Sequence, residues 1–141
     1  MGTEYAFVRA VLAWVCAGHA VMGLLALVSG KRAIRLGSRL YGASFEPADQ
    51  FEYALRPLGA FMLALAFLQG MAAWQPWRFK AVIDATLVVL VLRQVQRVVF
   101  ARQATRAFGI PLRRHWLNVV FFLVQAALLL LARARARWTP A

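Results

Sequence analysis

An all-α integral membrane protein, folded as a four-helix bundle with a short basic amphipathic interfacial segment after the first helix, is what this sequence predicts. Three observations carry that expectation. Of 141 residues, 62% are hydrophobic, and the mean hydropathy is +0.63, whereas a soluble domain carries roughly 45–50% apolar residues. The apolar residues fall into continuous runs near the length of a membrane-spanning helix, not into the alternation of a membrane barrel. The charges, 17 Lys and Arg against 5 Asp and Glu, cluster between those runs. The length suits one domain, residues 1–141, with spans at about 5–29, 54–74, 77–101 and 115–134. High apolar content excludes disorder, and a lone Cys16 excludes a disulfide framework.

The first run, from Tyr5 to Ser29, is too long and too poorly led for a cleaved signal peptide, with Glu4 and a single Arg9 at its leading end. Trp14 and Val15 ahead of Cys16 are too bulky for a lipoprotein cleavage site, so the segment is expected to be retained. Between Lys31 and Tyr41, a helical wheel gathers Lys31, Arg32, Arg35, Ser38 and Arg39 on one side. Ala33, Ile34, Leu36, Leu40 and Tyr41 fall on the other. This pattern suits a short helix lying in a headgroup layer. A solvated basic loop is the other reading, because Gly37 weakens a helix.

Glu46-Pro47-Ala48-Asp49 resembles a helix start with Asp49 as the cap. The second long helix then begins ahead of its apolar run and carries Pro57 as a kink, with Glu52 and Arg56 four apart. Trp74-Gln75-Pro76-Trp77 reads as a tight turn with two interfacial tryptophans. The third run continues as a polar helix through Arg97, Arg102 and Arg106 to Gly109-Ile110-Pro111. The tail from Arg133 to Arg137 alternates Ala and Arg, as a frayed helix end in the headgroups would.

Orientation follows from basic residues. Lys31, Arg32, Arg35, Arg39, Arg56, Arg97, Arg102, Arg106, Arg113 and Arg114 fall on one side. Arg9, Arg78, Lys80, Arg133, Arg135 and Arg137 fall on the other. The larger set places the first and third connections in the cytoplasm and both termini outside, in what is expected to be a bacterial inner membrane. A pI near 11.7 would ordinarily suggest nucleic acid. Here the arginines flank apolar spans, so no nucleic-acid partner is expected. Anionic lipid headgroups are the acidic partner, met by Lys31, Arg32, Arg35, Arg39, Arg113 and Arg114.

No nucleophile elbow, phosphate loop, zincin motif or Cys-x-x-Cys is present, so no catalytic set is assigned. Cys16 and His19 offer two ligands where a closed metal site needs about four. His19 and His115 lie at different depths, which disfavours haem ligation, and no metal or other cofactor is expected. Depth arithmetic points elsewhere. His19 lies roughly 21 Å along its helix from Tyr5, Arg93 roughly 20 Å from Lys80, and Gln125 about 14 Å from Trp116. With Gln94 and Asn118 nearby, these groups form a candidate polar layer in the inner half of a bilayer. Either Arg93 and His19 hold the polar head of a lipid or quinone, or Arg93 snorkels to the headgroups while the amides pair between helices. Small residues in the first two long helices (Gly18, Gly23, Ala60, Ala64, Ala66 and Gly70) suit close helix packing. Arg9 and Asp84 each lie about 6 Å in from the outer end, which predicts a structural ion pair between the first and third spans.

The order of features resembles the small four-helix membrane proteins of the DoxX-like group. The likeness is carried by His19-Ala-Val-Met-Gly23, the polar loop after it, and the helix opening Arg56-Pro-Leu-Gly59. A fainter likeness, through Leu40-Tyr41-Gly42 and the same helix opening, is to the four-helix scaffold of ergosterol biosynthesis. Both resemblances imply a helper and not a catalyst. The expected function is therefore a non-catalytic membrane subunit or scaffold that packs against a larger membrane complex, or against copies of itself, and against anionic lipids. The alternative is an amphiphile-binding protein or enzyme, for a lipid or quinone, that uses the mid-depth polar layer. A transporter fits less well, because four short spans leave little room for alternating access.

Overall fold

The computed structural model describes residues 5–136 and 138. The expectations for Glu4 and Arg137 lie outside the described residues. The chain forms six helices: α1 (Ala6–Val28), α2 (Gly30–Tyr41), α3 (Asp49–Trp74), α4 (Lys80–Val99), α5 (Ala101–Phe108) and α6 (Leu112–Arg135). Among the described residues, three of them, α1, α3 and α6, are long and apolar enough to cross a membrane.

The four-helix count is therefore corrected in two ways. The basic segment and the polar extension are helices in their own right, α2 and α5. α4 has the length of a span, but its twenty residues carry Lys80, Asp84, Arg93 and Arg97, which removes it from the apolar class. The expected continuous third helix is interrupted at Phe100, whose backbone (φ −100°, ψ 22°) departs from helical dihedrals while its N–H still donates to the Gln96 carbonyl and its own carbonyl accepts from the Ala104 N–H.

Helix ends follow local chemistry. α2 forms despite Gly37 and stops at Gly42, whose φ of +71° suits a residue without a Cβ. α5 stops at Gly109 in the same conformation, φ +59°. α3 starts where expected, but Asp49 is its first helical residue and not its cap. Ala48 holds the cap position without a side-chain bond, so Asp49 and Glu52 act only as first-turn acids facing the helix dipole. Pro57 is inside α3, where it removes the amide that would have bonded the Tyr53 carbonyl. The turn at residues 75–79 is tight, with Arg78 and Phe79 N–H groups both donating to the Gln75 carbonyl.

α1 packs most extensively on α3, α4 packs on α6, and α1 also meets α6, while α3 and α4 touch sparsely. The apolar core draws Val8, Val11 and Leu12 from α1, Ala72 from α3, Ile83 and Leu90 from α4, and Ala126, Leu129 and Ala132 from α6. Only 33%, 22% and 28% of the apolar windows of α1, α3 and α6 are buried inside the protein. The rest faces outward through side chains such as Val28, Phe61 and Phe67, an apolar surface far larger than water tolerates on a soluble monomer.

The first and third connections meet at one end. The Ser44 N–H donates to the Phe108 carbonyl at 2.8 Å. The rings of Phe45, Phe51 and Phe108 cluster beside that bond, with centroids 5.1–6.2 Å apart. At the opposite end, Tyr5 packs on Trp77 and Trp138.

Candidate functional site

The side chains that sequence depth placed in one layer are divided among separate bonds. His19, on the buried face of α1, donates from Nδ1 to Gln69 Oε1 on α3 at 3.0 Å. Gln69 Nε2 donates to Thr86 Oγ1 on α4 at 3.4 Å, and the Thr86 hydroxyl donates to the Val82 carbonyl at 2.8 Å. Gln69 and Thr86 are 0% and 1% exposed, so this three-helix chain is dry. A buried polar group in such a place needs a partner, and each supplies the next. Sequence depth missed both Gln69 and Thr86; the one signal for Gln69 is an amide within an otherwise apolar stretch, and Thr86 has none beyond its type.

Arg93 lies over the ring of Phe122, with Cζ 5.6 Å from the centroid. One turn along α4, Arg97 lies 5.0 Å from the Tyr41 centroid and 4.9 Å from that of Phe122. Tyr41 and Phe122 are themselves stacked at 6.2 Å. The guanidinium of Arg97 is thus held against two aromatic rings contributed by α2 and α6. His115 Nε2 donates to the Arg97 carbonyl at 3.1 Å, and Asn118 Nδ2 donates to the Tyr41 carbonyl at 3.3 Å. This clamp was not legible in the sequence, since it needs α2 to fold back on α6.

Gln94 is buried, with Nε2 donating weakly to the Leu90 carbonyl at 3.4 Å and Oε1 left without a partner. Gln125 is buried on α6. Among the described residues, no hydrogen bond joins His19, Arg93, Gln94 and Gln125 to one another.

The expected pair of Arg9 with Asp84 does not form. Asp84 accepts from Arg133 Nε at 2.7 Å and from Arg133 Nη2 at 3.2 Å, in a two-bond fork. Arg9 instead donates to the Trp74 carbonyl at 3.3 Å and lies 5.8 Å from the Trp77 centroid. The physical reason is packing. α4 lies against α6, so the face carrying Asp84 meets the last turn of α6, while Arg9 lies against the end of α3. Arg133 is therefore a partner for α4, not a free member of a headgroup tail.

Surface grooves are found on two flanks among the described residues. One, of about 800 Å³, is lined by Cys16 and Ala20 of α1, by α3 from Leu63 to Trp74, and by Arg78 and Phe79 of the following turn. A smaller one, of about 380 Å³, lies between α2 and the start of α3, with Lys31 and Arg35 facing Asp49 and Glu52. Neither is lined by His19, Arg93, Gln94 or Gln125. Lys31, Arg32, Arg35, Arg39, Arg113 and Arg114 are exposed.

Among the described residues, no group of three or more His, Cys, Asp or Glu side chains could hold a metal ion. Cys16, half-buried, donates its thiol to the Ala66 carbonyl at 3.2 Å, so it faces α3 while His19 bonds Gln69. No family model matches the chain, and neither a curated protein nor a solved structure matches it.

Proposed function

We propose that the protein is a non-catalytic integral membrane subunit or scaffold, packing against a larger membrane complex or further copies of itself and held by anionic lipids. One observation carries the reading: the side chains able to do chemistry are engaged in joining helices, while long apolar faces remain uncovered. His19, Thr86, Asp84, Arg97 and His115 each have an internal partner. Uncovered apolar faces of this length need lipid or protein against them.

In this reading α4 is a fourth crossing. Its charges are tolerable because Asp84 is paired with Arg133, and Arg93 and Arg97 lie on aromatic rings. The ten basic residues at the end of the first and third connections favour that end in the cytoplasm, with both termini outside. The DoxX-like resemblance points to the same helper role. The amphiphile reading that uses the polar layer would need His19, Arg93, Gln94 and Gln125 to face a common space, and the bond from His19 to Gln69 weighs against it.

Native mass spectrometry from gentle detergent tests the role: a stoichiometric partner or a defined oligomer is expected, and a clean monomer that reaches the membrane alone would sink it. Orientation is tested separately, with cysteines placed at Ser38 and Thr139 in a Cys16→Ser background; Thr139 lies outside the described residues. An impermeant thiol reagent should label the Thr139 position in intact cells and leave Ser38 unlabelled. The opposite pattern would invert the orientation.

A further inference from the structure

We infer that the groove on the α1–α3 flank holds one acyl chain of an anionic phospholipid, with its phosphate at Arg78. The groove is apolar for most of its length, lined among others by Ala20, Ala66, Phe67 and Gly70, and it ends at the exposed guanidinium of Arg78 beside Trp74. From Leu63 to Trp74, α3 rises roughly 16 Å at 1.5 Å per residue. That is close to one leaflet of a hydrocarbon core about 30 Å thick. The groove therefore runs from headgroup level to about the bilayer centre, as one acyl chain does.

Gly70 is the second observation. Gly23 and Gly59 are required by helix contact, since a Cβ on either would lie 2.7–3.0 Å from backbone of the facing helix. A Cβ on Gly70 would meet only the Cys16 sulfur, at an ordinary 3.8 Å. Glycine inside a helix costs about 1 kcal/mol relative to alanine, and protein packing does not demand it here. What its missing side chain leaves open is the groove.

The charge at the mouth selects the headgroup. Among the described residues, the ion pair found is Asp84 with Arg133, and Arg78 contacts only the face of Phe79, at 6.0 Å. A guanidinium in this state, with Gln75 also lining the groove, is a fork for phosphate oxygens. A zwitterionic lipid brings a cation along with its phosphate, so the net attraction favours an anionic one.

The inference rests on the membrane reading, and the two can fail separately. A chain recovered in the soluble fraction would remove both, whereas a membrane-embedded chain that binds lipid without selection would remove only this one. The test is native mass spectrometry of the full chain, titrated in detergent with phosphatidylglycerol or phosphatidylcholine of identical acyl chains. One retained phosphatidylglycerol per chain is expected, in preference to phosphatidylcholine. Arg78→Ala should lower that preference roughly fivefold while leaving the unfolding midpoint in place. Gly70→Leu should abolish retention of either lipid, and Cys16 alkylation, slowed by phosphatidylglycerol in the parent, should no longer respond. Equal binding of the two lipids, an undiminished preference in Arg78→Ala, or a second protein chain filling the groove would each overturn the inference. Arg78 is an exposed turn residue, so its variant remains decisive even where Gly70→Leu does not fold.

Discussion

The α1–α3 and α4–α6 pairs strike different balances between close backbone contact and polar links. α1 and α3 approach backbone to backbone, with a Cβ on Gly59 calculated to lie 2.7 Å from both the Gly23 carbonyl oxygen and the Leu27 nitrogen. α4 and α6 are tied by polar links at either end: the Asp84–Arg133 fork near one, the His115 bond to the Arg97 carbonyl near the other. In a solvent as apolar as the side chains, helices gain little from hydrophobic burial, so they rely on close van der Waals contact or hydrogen bonds. This molecule weights the two differently: close contact leads on α1–α3, with the His19–Gln69 and Cys16–Ala66 hydrogen bonds beside it, polar links lead on α4–α6, and the Gln69–Thr86 bond joins the pairs.

The sharpest way to break the contrast is Gly59→Val. Facing backbone cannot move aside as a flexible side chain does, so a loss of about 3 kcal/mol is expected. Thermal unfolding in detergent reads it, and an unchanged midpoint would mean that α1 and α3 do not meet at these glycines. Next comes the bridge between the pairs. Gln69→Leu leaves His19 and Thr86 without their buried partner and should lower stability by roughly 1–2 kcal/mol. The double variant with His19→Leu should lose less than the sum of the two singles, and strictly additive losses would show that the residues are uncoupled.

The polar pair is expected to be the weaker support. Asp84 and Arg133 are 45% and 29% exposed, so Asp84→Asn should cost about 1 kcal/mol. Exchanging the charges, Asp84→Arg with Arg133→Asp, should recover part of what Asp84→Arg alone loses, while Arg9→Asp should recover nothing. Rescue by Arg9→Asp would restore the pairing that depth alone suggested. The smallest effect is a gain. A Cβ on Gly18 meets nothing within 4 Å, so Gly18→Ala should stabilise α1 by roughly 0.5–1 kcal/mol. A loss there would mean that Gly18 also lies in an interface.

Length, hydropathy and punctuation made much of the fold legible: the apolar run of α1, the early start of α3, the turn after Trp74 and the stop at Gly109 all carry local signals. Depth along a helix was legible as well, because rise per residue is fixed. Azimuth was not. Depth alone set Asp84 beside Arg9, and the observed partner emerged only once α4 was seen against α6. The same limit hid Gln69 as the partner of His19, and left Gly23 looking no different from Gly18. The break at Phe100 has no Gly or Pro to announce it. The aromatic clamp on Arg97 depends on the fold-back of α2, a tertiary fact that a helical wheel does not contain.

The Asp84–Arg133 fork also orders events in time. The two residues are 49 positions apart, and at synthesis rates of about 5–20 residues per second the arginine leaves the ribosome roughly 2–10 s after its carboxylate. During that interval the nascent chain holds α1, α3 and α4 but not the helix that neutralises Asp84, with Lys80 one turn away as the local counter-charge. Under the membrane reading, α4 and α6 are then best delivered to lipid together. The arrival of the last helix is what turns a waiting intermediate into a finished protein.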